Sequence, residues 1–174
     1  VGSQTEIVFD GTSLVFDRHA NLCGCLKSFE EDLQSFILND DGTIAAGILE
    51  PADRLPNTDL NPALLDEKLH IDQVYQALIM GIKDYFEKMG FKKAILGSSG
   101  GIDSAVTLAL ACEALGAENV TAVLMPSQYS TGHSVSDAEQ LSKTLGNPYH
   151  ILPIKNIYDS FLSELKPLFK ELPF

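Results

Sequence analysis

The chain has 174 residues, 45% of them hydrophobic and 21% charged, a soluble globular composition with enough apolar material for one core and part of a second. Twelve Lys and Arg face 24 Asp and Glu, giving a formal charge of −12 and a pI of about 4.5, which argues against a nucleic-acid partner because phosphate-backbone binding needs clustered cations. No apolar run approaches the roughly 18 residues that span a bilayer, no signal peptide is visible, and three cysteines suggest a reducing cytoplasm rather than a disulfide framework.

Residues 6–38 read as β-hairpins leading into a short helix. The runs EIVF, TSLVF and LCGCL are apolar and alternating, separated by Asp10-Gly11 and by DRHAN, both turn sequences. Cys23-x-Cys25 lacks two further ligands at usable spacing, so it reads as small side chains of a strand and not as a metal site. The stretch SFEEDLQSFIL, 28–38, has helical spacing and is equally compatible with a further strand. Residues 39–62 contain three prolines and two glycines and read as a linker, with the domain boundary inside it.

Asn61-Pro62 suits a helix start. Apolar residues then recur at Ile71, Val74, Tyr75, Leu78, Ile82, Tyr85, Phe86 and Met89, with Gly90 as the stop. Asp72, Asp84 and Glu87 fall on the solvated face of that helix, and His70 at its start and His19 in a hairpin turn have no partner in view. From Lys93 strands and helices alternate. AIL is a short strand, DSAVTLALACEAL an apolar helix ended by Gly116, and VTAVLM a second strand. Ser134–Leu145 is an amphipathic helix with Ser136-x-x-Glu139 as its capping box. YHILPI is a third strand and IYDSFLSELKPLF a third helix. That order predicts an α/β fold, a parallel sheet with helices on both faces. Cys112, inside the apolar helix, reads as core.

The turn between the first strand and its helix is GSSGGIDS, 97–104. Glycines permit a tight turn and close approach to a ligand, free N–H groups at the helix start favour an anion, and Ser99 and Ser104 add hydroxyls. A phosphate fits. No lysine follows the glycines, so this is not the GxxxxGK[ST] loop, nor is it GxGxxG. Asp103 would repel phosphate unless a cation such as Mg²⁺ bridges the two. The plainer alternative is an ordinary strand-to-helix turn with an acid at the helix start.

Ser99-Gly100-Gly101-Ile102-Asp103-Ser104 matches the SGGxDS loop of the N-type ATP pyrophosphatases. Over about fifty residues, including MPSQYST and SVSDAEQL, the surrounding sequence resembles the NAD synthetases of that superfamily. It departs from them at Ser98, where an apolar residue is expected. The N-terminal part, VGSQTEIVFDGTSLVFD followed by FEEDL, resembles the closing hairpins of the nitrilase-like glutaminase domain that precedes the synthetase in the glutamine-dependent members.

The resemblance implies an adenine nucleotide alpha hydrolase-like fold. It divides the chain into the end of a glutaminase domain (1–38), a linker (39–62) and the first part of an ATP pyrophosphatase domain (63–174). It implies ATP and Mg²⁺ as cofactors, deamido-NAD and glutamine or ammonia as substrates, and a homo-oligomer without nucleic acid or membrane. ATP is expected at Gly97, Ser98, Ser99, Gly100, Gly101, Ile102, Asp103, Ser104, Leu124 and Met125, with Asp103 on the metal. No residue of the segment is given a catalytic role. The glutaminase Glu, Lys and Cys are expected before Val1, so the segment alone is expected to be inactive. His133 reads as a solvated loop residue near the site edge, and Tyr129 as either a cover for the nucleotide or an exposed aromatic. The alternatives are another ATP pyrophosphatase ligase, such as a GMP synthetase-like enzyme, and a nucleotide-binding module without a reaction.

Overall fold

The computed structural model describes residues 1–4, 6–45 and 67–169. The chain divides into two compact units at Tyr85/Phe86. In the first unit three antiparallel hairpins follow one another: β1 (Gly2–Gln4) with β2 (Ile7–Phe9), β3 (Leu14–Phe16) with β4 (Leu22–Cys25), and β5 (Ile37–Leu38) with β6 (Ile44–Ala45). Asp10-Gly11 therefore joins two hairpins and does not close one, because β2 takes β1 as its partner. The DRHAN turn does close β3–β4. Asp17 accepts the backbone N–H groups of His19 and Asn21, both at 2.8 Å, and these bonds let Ala20 take a positive φ of 62°.

The stretch 28–38 forms no helix. It runs irregularly until β5. Asp32 accepts the N–H of Lys27 at 3.1 Å, Phe29 has φ 59°, and the Phe29 N–H goes to Asp10 O at 2.6 Å. The positive φ of Phe29 lies outside the right-handed helical region and breaks the run at its start. The third hairpin, 37–45, enters the stretch read as linker, and the remainder, 46–62, lies outside the described residues together with the Asn61-Pro62 cap.

Helix α1 spans Glu67–Met89. Asp84, on the face read as solvated, is half-buried and accepts the N–H of Ser3 at 2.6 Å. Its C-terminus is a Schellman motif: Gly90 N–H bonds Glu87 O at 3.1 Å and Phe91 N–H bonds Phe86 O at 2.9 Å. Gly90 supplies the required positive φ, 73°, and the Phe86 and Phe91 rings meet edge to face at 5.9 Å.

The second unit is an α/β layer. Strands β7 (Ala94–Gly97), β8 (Val120–Leu124) and β9 (Tyr149–Ile151) form a parallel sheet in that order. The crossovers are α2 (Ile102–Leu115) and α3 (Gly132–Leu145), and α4 (Lys155–Phe169) follows β9. Leu108, Ala111, Cys112 and Leu115 recur at the spacing of a helix face, and they meet Val120, Ala122 and Leu124 of β8 and Ala138 of α3. Leu108, Val120, Ala122 and Leu124 have essentially no exposed surface, and burying each large side chain is worth about 1.5–3 kcal/mol. This core holds the C-terminal ends of β7 and β8 side by side.

Helix α3 starts earlier than the sequence pattern suggests. Its N-cap is Thr131, whose hydroxyl accepts the Ser134 N–H at 3.2 Å. Ser136 lies inside the helix and donates to His133 O at 2.9 Å. Ser136 therefore does not serve as the cap. Glu139, the other half of the expected box, instead binds Lys143 at 2.7 Å and accepts from the Tyr149 hydroxyl at 2.8 Å.

Candidate functional site

At the C-terminal edge of the sheet, β7 runs into the glycine-rich turn. Ser98 adds one more rung to the ladder, its N–H donating to Val123 O at 3.0 Å. Gly100 turns the chain with φ 83°, and a Cβ built on it would lie 2.8 Å from the Ser134 Cα in the first turn of α3. Only glycine permits both that backbone conformation and that approach. The loop is thus seated against α3.

Gly101 is the N-cap of α2 and brings no side chain to cap it. The first intrahelical bond is Ala105 N–H to Gly101 O at 3.1 Å. The N–H groups of Ile102, Asp103 and Ser104 precede it and belong to the unsatisfied first turn, which carries the positive end of the helix dipole. The two loop hydroxyls face each other, Ser99 Oγ to Ser104 Oγ at 3.1 Å. Ser104 also donates to Gly101 O at 2.9 Å and accepts from the Ser99 N–H at 3.2 Å. Asp103 is exposed in the same first turn, and among the described residues none donates a hydrogen bond to its carboxylate. Its charge is favourable to the α2 dipole by about 0.3–1 kcal/mol and unfavourable to an anion bound there.

A pocket of about 220 Å³ opens beside this loop, lined by Gly97, Ser98, Ser99, Leu124, Met125, Pro126, Ser130, Ser134 and Val135. It gathers five of the ten residues picked out from the sequence. Gly100, Gly101, Ile102, Asp103 and Ser104 continue the same loop into α2 without lining the pocket. Ile102 points away from the core, 76% exposed. Pro126, Ser130, Ser134 and Val135 were not singled out by sequence. Their signal was the MPSQYST stretch and the Thr131 cap, which together place the start of α3 over the end of β8.

His133 is exposed and Tyr129 is 74% exposed. Neither lines the pocket. Tyr129 meets Tyr158 of α4 edge to face at 5.9 Å with the hydroxyls 3.4 Å apart. That hydrogen bond lowers the Tyr129 pKa and raises that of Tyr158. The three thiols are free. Burial pushes Cys25 and Cys112 above the usual thiol range, the opposite of what a nucleophile needs. Among the described residues no cluster of three or more His, Cys, Asp or Glu could hold a metal, and no helix is long and apolar enough to cross a membrane. A larger cavity, about 500 Å³, lies in the first unit beside Lys27, Glu30, Glu31 and Asp32. Its acids outnumber its one lysine, which is already paired with Glu30 at 3.3 Å, so it does not attract anions.

A parallel α/β sheet whose first strand delivers a serine-glycine loop to an uncapped helix N-terminus, with a pocket at the strand ends, is a phosphate-binding nucleotide fold in architecture. The NAD synthase family profile matches residues 74–172, more than half of the chain, and the chain belongs to that family. It is 37% identical over 187 residues to a glutamine-dependent NAD(+) synthetase of Thermotoga maritima, matching 97% of this chain and 32% of that protein. It is 40% identical over 176 residues to one of Synechocystis, matching all of this chain and 29% of that protein. The structure of a glutamine-dependent NAD+ synthetase from Acinetobacter baumannii, in complex with ADP, superposes with a TM-score of 0.83 at 37% identity, over 100% of this chain and 30% of that one. The chain thus spans about a third of the length of the curated relatives it matches.

Proposed function

We propose that this chain carries the nucleotide loop of a glutamine-dependent NAD synthetase, and that the complete protein amidates deamido-NAD with ATP and with ammonia drawn from glutamine. Residues 1–38 are read as the end of a nitrilase-like glutaminase domain, 39–62 as the linker and 63–174 as the first part of the ATP pyrophosphatase domain. Cytoplasmic placement and homo-oligomeric assembly belong to the same reading. The observation that carries it is the SGGIDS loop held at an uncapped α2 N-terminus beside a pocket at the ends of β7 and β8, in a chain whose relatives bear that name over its full length.

The chemistry asks for activation of a carboxylate. The nicotinate carboxylate attacks the α-phosphorus of ATP, pyrophosphate leaves, and an acyl adenylate forms. Ammonia then attacks the acyl carbon and AMP departs with the bonding pair. Pyrophosphate gathers negative charge as it leaves. The N–H groups of Ile102, Asp103 and Ser104 and the hydroxyls of Ser99 and Ser104 are the donors that meet that charge, and being fixed beforehand they cost no reorganisation at the moment of reaction. The backbone at Leu124 and Met125, with the apolar wall of Leu124 and Val135, takes the adenine.

One exposed carboxylate, Asp103, with no hydrogen-bond partner among the described residues, is too little for an all-protein Mg²⁺ cage. It suits an ion held by one or two carboxylates together with substrate phosphates. Asp103 would hold Mg²⁺ in this way, and the ion would supply charge neutralisation on the phosphate oxygens when bound.

Pyrophosphate release by the complete protein tests the reading, with deamido-NAD and glutamine each present or withheld. Release should require deamido-NAD, and NAD should appear only with glutamine or ammonia. Release that ignores deamido-NAD would overturn the substrate assignment.

A further inference from the structure

The first unit holds a contact that the adenylation chemistry does not use. Asp84 of α1 accepts the Ser3 N–H at 2.6 Å, and Ser3 is 4% exposed. A carboxylate on a backbone N–H makes a charge-assisted bond, shorter and stronger than a neutral one. Glycine makes the approach possible. Gly2 has φ 139°, and a Cβ built on it would lie 3.2 Å from Asp84 Oδ2.

A second point of contact lies on the same helix face. A Cβ built on Gly81 would lie 3.9 Å from Val8 Cγ2, and positions 81 and 84 are neighbours on one side of a helix. Val8 is the register partner of Ser3 across the β1–β2 ladder. One rung of the hairpin therefore meets one turn of α1, with a polar contact at Ser3 and an apolar one at Val8. Gly81 and Asp84 lie inside the stretch that matches the NAD synthase profile, 74–172, whereas Ser3 and Val8 lie outside it. The contact thus ties a segment of the synthase profile to a segment that precedes it by 81 positions.

We propose that Asp84 is a positioning residue for glutamine use: it holds the β1–β2 hairpin on α1, and that docking delivers ammonia from glutamine to the acyl adenylate instead of losing it to solvent. This rests on the reading of 1–38 as the end of the glutaminase domain and 63–174 as the start of the synthetase domain. Under that reading hairpin and helix belong to the two domains. Glutamine and water give glutamate and ammonia in the first, and ammonia attacks the acyl carbon in the second. Asp84 touches neither substrate and acts through the hairpin. Ammonia supplied from solution needs no such transfer, so its use is independent of Asp84.

The test is Asp84→Ala and Asp84→Asn in the complete protein. Glutamate and NAD are measured together, with glutamine or with ammonia as nitrogen source, and amide exchange of the β1 peptide is followed by mass spectrometry. In Asp84→Ala the undocked fraction should rise about tenfold or more, as for loss of a hydrogen bond to a charged group. The β1 peptide should exchange faster, and glutamate formed per NAD should rise severalfold. Asp84→Asn keeps an oxygen acceptor without its charge and should fall between the parent and Asp84→Ala. Turnover with saturating ammonia should stay near the parent in both. Faster exchange with unchanged glutamate per NAD would overturn the proposal and leave Asp84 a stabilising contact. Unchanged exchange would overturn it as well, because the bond would not then hold the hairpin. Equal loss with glutamine and with ammonia would place the defect in the synthetase fold and overturn it too. If the parent makes NAD from ammonia and none from glutamine, the domain reading itself fails, a result distinct from the others.

Discussion

The glycines of the loop are not equivalent, and Gly100→Ala is the sharpest probe of how the site is built. A Cβ at Gly100 would come within 2.7 Å of the Ser134 carbonyl carbon and 2.8 Å of its Cα, against an ordinary carbon–carbon contact of about 3.5–4.0 Å. The two backbones must separate by about 1 Å. The φ of 83° adds about 1–2 kcal/mol of conformational strain for a residue with a side chain, and overpacking adds about 1–3 kcal/mol. At Gly101, by contrast, φ is −88° and a Cβ would meet only Ser99 Oγ at 3.4 Å, so Gly101→Ala should cost under about 1 kcal/mol. The expected result is a melting temperature lowered by several degrees for Gly100→Ala and Mg-ATP affinity or turnover reduced on the order of a hundredfold, as for a reacting group displaced by about 1 Å. Gly101→Ala should stay near the parent in melting temperature. Calorimetric titration, steady-state turnover and a thermal melt on the complete protein read the pair. Equal behaviour of the two variants, or a Gly100→Ala protein with normal affinity and stability, would show that the loop is not seated against α3 as described.

Two more consequences can be measured. Asp103→Asn should leave the melting curve nearly unchanged while lowering turnover on the order of a hundredfold and flattening its dependence on Mg²⁺; unchanged kinetics across a Mg²⁺ titration would remove the metal role. Glu139 is held below its usual value of 4.5 chiefly by its hydrogen bond with Lys143 and also by Tyr149, so its contribution to stability is fully present above pH 4.5 and fades as the pH falls through its lower folded value. The gap in melting temperature between the parent and Glu139→Gln should therefore narrow below pH 4.5 and hold steady between pH 6 and 8, and a gap that widened on acidification would reverse the assignment.

The second unit was legible because its signals are local. Short β-branched and apolar runs, helix-period stripes such as Leu108, Ala111, Cys112 and Leu115, and glycines after the helices each announce themselves within ten residues. The glycine-rich turn between β7 and α2 was legible for the same reason. What the sequence hid depends on distant partners. β1, with the sequence GSQ, has no apolar alternation, so its pairing with β2 and the reassignment of Asp10-Gly11 could not be read. Asp84 looked solvated because the N–H it accepts belongs to Ser3, 81 positions away. The stretch 28–38 has a helix's spacing, but Phe29, with φ 59°, leaves the helical region and gives its N–H to Asp10 O. For α3 the sequence pointed to a capping box at Ser136, whereas the path of the loop after β8 makes Thr131 the N-cap. The departure at Ser98 was visible in the sequence, while its burial was not.

The acid in the phosphate loop makes sense only with the rest of the site's charge in view. An anion at the α2 N-terminus gains from the dipole and from free N–H groups, yet it meets Asp103 in the same turn. At about 5 Å and an effective dielectric of about 20, each unit of like charge costs about 3 kcal/mol, more than the dipole returns. The nearest lysines along the chain before the loop, Lys92 and Lys93, precede β7, and four strand residues put them about 13 Å from the turn, beyond the Debye length of about 8 Å at physiological salt. No side-chain cation of the loop offsets the carboxylate. Asp103 therefore opposes a bare phosphate, and under the proposed nucleotide reading it would favour one that arrives with its own divalent cation. A lysine in its place would bind either. The Gly100 turn, which glycine adopts without strain, seats the loop against α3. In the proposed reaction the backbone N–H groups would serve the departing pyrophosphate only while α3 holds them in place.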